Sequence, residues 1–206
     1  MGEVNKQKSS SFMQYGEIVS LGKHWLFCGD AQEPGVVLQK LGEERIRLIL
    51  TDPPYGVGYV EGKADFVKLA AGSKVIDNDE IQTEEKYRAF TSAWLRGVTG
   101  CLDSYNAIYV FNSDLMYPAL RDGIEEAGFY YSQMIVWIKN QAVIGRKDYL
   151  PQHELIAYGW HGRHKMERGK AKSVIFYPRP SRSKLHPTMK PIGLLRKLIL
   201  NSTKKR

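Results

Sequence analysis

Apolar residues follow two patterns along this chain, short continuous runs and longer repeats with helical spacing. The runs Ile46–Leu50 and Ala107–Phe111 predict buried strands, because each is short and is flanked by polar or turn-forming residues. Between them lies a repeat whose members are three or four positions apart, as on one face of a helix. That repeat consists of Tyr87, Phe90, Trp94 and Val98. The alternation of strand and helix indicates an α/β fold.

Capping residues predict where the two central helices begin and end. Thr83 suits the N-cap of the first helix, which has acidic residues in its first turn, and Gly100 is a natural stop. Ser113 or Asp114 is expected to cap the second helix, which Gly128 ends.

Strands at Phe129–Ile138 and His153–Trp160 are expected to form an antiparallel end to an otherwise parallel sheet. Pro191 opens a final helix, since proline is favoured in the first turn. The other predicted elements are short strands at 15–19 and 25–28, a helix at 34–41 and a strand at 174–177.

Composition fits one globular domain. The chain has 206 residues, of which 43% are hydrophobic and 25% are charged. We expect a single, partial domain at residues 12–206, after a polar, disordered leader at residues 1–11. No apolar run approaches the roughly 20 residues that span a bilayer. The two cysteines lack C-x-x-C spacing, so we expect a cytoplasmic protein with no disulfide framework, metal site or membrane partner.

Charge is divided unevenly between the two parts of the chain. Residues 1–138 contain 13 Lys and Arg against 19 Asp and Glu, whereas residues 139–206 contain 17 against 3. A mildly acidic body followed by a strongly basic third indicates a surface for a polyanion, and nucleic acid is the obvious candidate. Basic segments also occur on proteins that bind no polyanion, so charge alone leaves both interpretations open.

The residues after the strand Ile46–Leu50 combine a carboxylate, two prolines and an aromatic ring. Two prolines cannot continue a central strand, so the strand ends here, at the edge where open α/β sheets bind ligands. The exocyclic amine of a nucleobase is a poor nucleophile, because its lone pair is delocalised into the ring. Acceptors on both N–H groups, the Asp52 carboxylate and the Pro53 carbonyl, would favour a pyramidal nitrogen with an available lone pair. Tyr55 offers a flat face on which an extruded base can stack.

Asp52-Pro53-Pro54-Tyr55 resembles the catalytic D-P-P-Y motif of amino-group DNA methyltransferases, which act on adenine N6 or cytosine N4. Residues 186–191 read H-P-T-M-K-P and resemble the H-P-T-x-K-P segment of the same family. The second motif follows the first, as in the permuted β group of this family. The likeness covers about residues 15–202. Within the family the chain most resembles phage-type or ParB-linked methylases. The resemblance implies a Rossmann-like sheet and methyl transfer from S-adenosylmethionine to double-stranded DNA. Asp52, rather than Ser, favours adenine N6 by the same resemblance.

The resemblance also assigns binding residues. Asp30 and Ala31, in a G-D-A element, are expected near the adenine of the cofactor. His186, Lys190 and Pro191 are expected beside the S-adenosylmethionine pocket, where Lys190 and the helix start can meet the methionine carboxylate.

A basic region at residues 139–185 is expected to contact DNA. The candidates for phosphate or base contacts are Arg146, Lys147, Arg179, Arg182 and Lys184. His153-Glu154 is followed by Ala157 instead of a second histidine, which excludes a zinc-protease motif. We expect a structural or substrate-loop role for this pair.

Members of the permuted group continue past the last helix into a strand and a glycine-rich loop that closes around S-adenosylmethionine, and this sequence stops before both. The expectation is an incomplete sheet that lacks the first strands of the cofactor half, so cofactor binding by this chain alone is in doubt. Ile46–Leu50 would then form an exposed apolar edge, suited to a homodimer or a complementing C-terminal fragment.

Three alternatives remain open on the sequence. They are a catalytically inactive nucleic-acid-binding remnant, an N4-cytosine methyltransferase and an RNA-directed methyltransferase. Cytosine-C5 chemistry is disfavoured, because neither Cys28 nor Cys101 follows a proline as the nucleophile of that family does.

Overall fold

A computed structural model describes residues 13–57, 82–143, 148–180 and 189–204. Over these residues the strands are β1 (Ile18–Leu21), β2 (His24–Phe27), β3 (Ile46–Thr51), β4 (Leu102–Asn112), β5 (Tyr130–Ile138), β6 (His153–Trp160) and β7 (Val174–Phe176). The α-helices are α1 (Gly35–Leu41), α2 (Glu84–Val98), α3 (Tyr117–Glu126) and α4 (Ile192–Ser202). A 3₁₀ turn at Thr99–Cys101 continues α2. None of the described helices is long and apolar enough to cross a bilayer.

The main sheet has the strand order β3-β4-β6-β5-β7. β3 runs parallel to β4 and β7 runs parallel to β5, whereas β6 is antiparallel to both of its neighbours. The expected antiparallel pair of β5 and β6 is confirmed, but the expectation of an otherwise parallel sheet is wrong in detail. The crossover through α3 leaves a gap between β4 and β5, and β6 folds back into it, so the sheet is mixed.

β4 is buried on both faces from Asn106 to Asn112, and its alternating side chains divide the core into two layers. Ile108 and Val110 face the layer that contains α2 and α3, with Leu95 and Leu120 among its fully buried residues. Tyr109 and Phe111 face the other layer, into which α4 inserts. Leu194 and Leu198 of α4 are fully buried there, so the last helix is fixed against the sheet by its apolar face.

The two central helices begin differently from one another. Thr83 caps α2 as predicted, because its hydroxyl oxygen accepts a hydrogen bond from the Lys86 amide at 3.3 Å. The predicted cap of α3 at Ser113 or Asp114 is wrong, since α3 begins at Tyr117 with Met116 in the N-cap position. The Asn112 carboxamide accepts a hydrogen bond from the Ser113 amide at 2.6 Å, which turns the chain before the helix starts.

α4 approaches the loop after β7 very closely. A Cβ atom at Gly193 would overlap the Tyr177 hydroxyl. The backbone carbonyl of Tyr177 in turn accepts a hydrogen bond from the Trp137 indole at 2.7 Å, so this loop is anchored to β5. Only the absence of a side chain at position 193 allows the first turn of α4 to lie where it does.

β3 lies at one edge of the five-stranded sheet, and among the described residues it pairs only with β4. All of its residues are half-buried. The expectation of an exposed edge at Ile46–Leu50 stays a prediction. The separate hairpin of β1 and β2, predicted around Gly22, precedes α1, and Trp25 on it lies beneath the Lys40 ammonium of α1.

Replacing Gly123 with alanine tests the close packing of α2 against α3. The new Cβ atom would lie 2.6 Å from the Thr91 Cβ atom and 2.7 Å from the Arg88 carbonyl oxygen. We expect a net loss of about 1–3 kcal/mol in unfolding free energy, because overpacking outweighs the gain in helix propensity of roughly 1 kcal/mol. Urea denaturation measures it, with Gly100→Ala as the control, since nothing lies within 4 Å of a Cβ atom there. Equal stability of the Gly123→Ala variant and the parent chain would contradict the packing argument.

Candidate active site at the carboxyl end of β3

The predicted catalytic motif begins where β3 ends. Thr51, the last residue of β3, pairs with Val110 in the middle of the sheet. Gly56 ends the motif with a φ of 65°, a conformation that favours glycine. Its carbonyl accepts a hydrogen bond from the Gln82 amide at 2.9 Å. The segment Asp52–Tyr55 is therefore held at both ends, by the sheet and by this turn.

Asp52 is bound through both of its carboxylate oxygens. The Lys190 ammonium, just before α4, donates to Oδ2 at 2.7 Å. The Tyr55 hydroxyl donates to Oδ1 at 2.8 Å. A side chain 138 positions away in sequence thus forms an ion pair with the predicted catalytic motif.

A second carboxylate, Glu154 at the start of β6, lies beside the same lysine. Its Oε2 atom is 3.1 Å from the Lys190 ammonium, and its Oε1 atom is 2.7 Å from the ammonium of Lys139, which follows β5. Asp52, Lys190, Glu154 and Lys139 form a row of alternating charge, which we call the charge cluster. Its formal charges sum to zero, which limits the cost of removing them from water.

The protons of the site can be assigned from the distances. An ammonium group has three N–H donors, and those of Lys190 reach Asp52, Glu154 and, at 3.3 Å, the Tyr55 hydroxyl oxygen. A phenol has one proton, and the shorter distance assigns that of Tyr55 to Asp52 rather than to Glu154, which is 3.2 Å away. In this arrangement Lys190 has no N–H group left over for another acceptor.

The cluster fixes the protonation states of its own members. Burial raises the pKa of Glu154, but the charges of Lys190 and Lys139 outweigh it, so the pKa lies below the ordinary value of 4.5. Burial raises the pKa of Tyr55 well above its ordinary value, and the carboxylates of Asp52 and Glu154 raise it further. At neutral pH Glu154 is an anion and Tyr55 is a neutral hydrogen-bond donor.

Solvent reaches one end of the cluster. The side chain of Asp52 is 37% exposed, whereas those of Lys190 and Glu154 are 10% and 18% exposed. Each carboxylate oxygen has two lone pairs, so Asp52 can accept a further hydrogen bond from the solvent side. The arrangement therefore presents a fixed, accessible acceptor on a buried ionic support.

The structure brings some of the predicted residues together at the end of β3. Asp52, Pro53, Pro54 and Tyr55 lie together, and Lys190 and Pro191 join them from the start of α4. Asp30 and Ala31 lie in an exposed turn after β2, in which the Asp30 carboxylate accepts a hydrogen bond from the Gln32 amide at 2.8 Å.

The DNA candidates are described only in part. Arg179 is half-buried, and its amide donates to the Asn140 side chain at 3.1 Å. Arg146, Lys147, Arg182, Lys184 and the cofactor candidate His186 lie outside the described residues.

Sequence reasoning missed two members of the cluster. Glu154 was expected to have a structural or substrate-loop role, and Lys139 was included only as the first residue of the basic region 139–185. The available signal was the presence of two opposite charges inside apolar strand sequences, since charged residues are rarely buried without partners. Their contact with each other follows from the antiparallel pairing of β5 with β6.

Comparisons with known proteins give matches in sequence and in fold. A family model described as DNA methylase, of the N6/N4 type, matches residues 46–206. The type II methyltransferase M.HpaI of Haemophilus parainfluenzae is 29% identical over 133 residues, which are 63% of this chain and 36% of that protein. The chain thus spans about a third of the length of this curated relative.

Solved structures share the fold. The complex of M1.HpyAVI with SAM has a TM-score of 0.55 at 20% identity, over 85% of this chain and 74% of that one. The cytosine-N4-specific PvuII DNA methyltransferase has a TM-score of 0.61 at 15% identity, over 86% and 70% of the two chains. These matches include an α/β sheet of the kind found in S-adenosylmethionine-dependent methyltransferases.

Replacing Glu154 with glutamine tests the ionic support. Removing one partner of a buried ion pair leaves the lysines uncompensated, so we expect a loss of roughly 3 kcal/mol in unfolding free energy at neutral pH. The pKa of Glu154 is lower in the folded chain than its ordinary value of 4.5. Its contribution is therefore present above pH 4.5 and is lost as the pH falls through the folded-state pKa.

Denaturation of both chains between pH 7 and pH 3 measures this difference. We expect the gap in unfolding free energy between the parent chain and the Glu154→Gln variant to narrow below pH 4.5. A gap that stays constant down to pH 3 would contradict the ionic origin of the effect.

Proposed function

The chain belongs to the N6/N4 DNA methylase family, and from this premise we propose that it carries the base-binding and catalytic part of a DNA methyltransferase that modifies the N6 amine of adenine. The observation that carries the proposal is the Asp52 carboxylate, which is exposed, lies at the carboxyl end of β3 and is fixed by Lys190 and Tyr55. An exposed acceptor on a buried support is what an incoming amine needs.

The residues of the motif divide the work on the target base. Asp52 and the Pro53 carbonyl each accept one N–H of the amine, which favours a pyramidal nitrogen whose lone pair points away from both acceptors. The half-buried ring of Tyr55 offers a stacking surface for a base extruded from the duplex. Its hydroxyl, tied to Asp52, keeps the ring and the carboxylate in one fixed relation.

S-adenosylmethionine is the methyl donor of this family, and when bound it supplies a methyl group on a sulfonium to the amine nitrogen. The residues present fit such a ligand: the Asp52 carboxylate suits a cationic centre, and the first turn of α4, opened by Pro191, suits the methionine carboxylate. We assign Asp30 and Ala31 to the adenosine end, and His186 with Pro191 to the methionine end. Lys190 is paired with Asp52 and Glu154 in this structure, so we propose that its main role is to hold these two carboxylates.

The choice of adenine N6 over cytosine N4 is the more specific part of the proposal. Asp at position 52, as in D-P-P-Y motifs of adenine-N6 enzymes, supports it. The PvuII enzyme is specific for cytosine N4, but at 15% identity this structural neighbour shows that the fold is shared and does not assign the target base. Digestion of methylated duplex DNA to nucleosides separates N6-methyladenine from N4-methylcytosine, and recovery of N4-methylcytosine alone would refute the adenine assignment.

DNA is the proposed partner, through the basic region 139–185. The charge of that region supports phosphate contacts, and Arg179 is the described candidate among them. We also propose that β3 adds a strand from a second copy or a complementing fragment, because its outer edge is unpaired among the described residues.

Replacing Asp52 with asparagine tests the catalytic assignment. Asparagine keeps the shape but loses the charge, so we expect methyl transfer to fall at least 100-fold, the order seen when a catalytic electrostatic partner is removed. Affinity for duplex DNA is expected to stay within about twofold, because phosphate contacts dominate affinity. Transfer of labelled methyl groups and fluorescence anisotropy measure the two quantities.

Asp103→Asn provides a matched control, since that carboxylate lies at the other end of the sheet and bonds only to its own turn among the described residues. It should retain full transfer activity. If Asp52→Asn kept more than half of the activity, the proposed site would be wrong.

Amide exchange tests the open edge of β3. In a monomer we expect the amides of Ile46–Leu50 that point away from β4 to exchange quickly, while the doubly paired amides of β4 stay protected. Pairing of β3 with an added strand should slow the exchange of these outward-pointing amides. Full protection of every β3 amide in a protein shown to be monomeric would contradict an unpaired edge.

A further inference from the structure

Lys190 is shared between two carboxylates that have different surroundings. Asp52 lies 2.7 Å from its ammonium and is the more exposed partner, whereas Glu154 lies 3.1 Å away and is more deeply buried. No other anionic partner of Lys190 is found among the described residues. The side chain therefore needs only a shift in its existing hydrogen bonds, and no new rotamer, to favour one carboxylate over the other.

The proposed chemistry makes the ion pair with Asp52 unfavourable at one point of the reaction. The amine nitrogen gains positive charge as it forms its bond to the methyl carbon. An ammonium held on the carboxylate that must accept that amine weakens the carboxylate as an acceptor and repels the growing charge. Lys190 has to move its charge away from Asp52 when the amine arrives.

We propose that Glu154 is a positioning residue that takes over the Lys190 ammonium when Asp52 binds the target amine. This inference rests on the proposed function, because it concerns the amine acceptor of the same site. Glu154 does not touch the substrate; it acts through Lys190 and through the Tyr55 hydroxyl, 3.2 Å from its Oε2 atom.

The surroundings of Glu154 suit this role. Its Oε1 atom is held by Lys139 at 2.7 Å, which leaves Oε2 directed at Lys190 and Tyr55. Backbone pairing in β6 fixes the residue further, since Glu154 lies opposite Trp137 of β5. The second carboxylate is thus immobile, and the lysine between the two is the part that adjusts.

Side-chain ammonium NMR of the full chain tests whether Asp52 and Glu154 can each hold the Lys190 ammonium. The measurement does not depend on methyl transfer. An ordered, buried lysine ammonium gives a slowly exchanging proton signal, whereas a free one does not. The signal of Lys190 is compared in the parent chain, Asp52→Asn, Glu154→Gln and the double variant. Circular dichroism confirms that each is folded.

We expect the Lys190 signal to persist in Asp52→Asn, which imitates loss of the first partner, and to vanish only in the double variant. Loss of the signal in a folded Asp52→Asn variant would show that Glu154 cannot hold the lysine alone and would overturn the inference. Persistence in the folded double variant would overturn it too, because neither carboxylate would then be needed.

Kinetics of the parent and Glu154→Gln give the second readout. With Glu154 neutral, Lys190 stays on Asp52, so we expect kcat to fall about tenfold while KM for duplex DNA stays within twofold. A rise in KM with unchanged kcat would contradict the positioning role.

Glu167→Gln is the matched control. That side chain is 17% exposed, close to the 18% of Glu154, and it pairs with Arg47 at 3.4 Å, away from the motif. It should lose stability without losing kcat. An equal loss of kcat in both variants would indicate a merely structural effect and would overturn the inference.

The two readouts separate the inference from the proposed function. If no DNA is methylated but the ammonium signal follows the expected pattern, the proposed function fails and the shared hold on Lys190 stands. If DNA is methylated and the signal is lost in Asp52→Asn, the inference fails and the proposed function stands.

Discussion

The contact between Lys190 and Asp52 joins the last helix of the described chain to its first core strand. The ammonium is almost completely shielded from water, so it must remain paired, and the partner that makes the shortest contact is the carboxylate proposed to bind the target amine. Folding of α4 onto the sheet and assembly of the site are for this reason one event. Any change that displaces the helix also leaves Asp52 without its cation, and the site cannot form on β3 alone.

Sheet topology explains why four charges meet at this point. β6 is inserted between β4 and β5 and runs antiparallel to β5. The antiparallel pairing places the start of β6 next to the end of β5, so Glu154 and Lys139 become neighbours. The same insertion brings Glu154 to the side of the sheet where β3 ends and α4 begins. An all-parallel arrangement would have placed the start of β6 at the opposite end of the strands, far from the predicted catalytic motif. The mixed sheet is thus a requirement of the ionic support.

The parts of this structure that depend on local sequence were predictable. The Thr83 cap, the apolar runs of β3 and β4 and the position of Asp52–Tyr55 all follow from neighbouring residues. The strand order and the burial of Glu154 and Lys139 depend on pairings across long stretches of chain, which no local pattern encodes. The start of α3 was mispredicted because Asn112 competes with Ser113 and Asp114 for the turn. Lys190 was placed near the site from its motif, but its ion pair with Asp52 could not be read from spacing.

The close approach at Gly193 has a consequence for how this protein can evolve. Position 193 bears no functional group, yet a single methyl group there would collide with Tyr177 and lift the helix whose preceding residues include Lys190. Natural variation at position 193 is therefore restricted, because the Tyr177 hydroxyl occupies the space that a Cβ atom would need. A lineage could lose its chemistry through a substitution that leaves every reactive side chain unchanged.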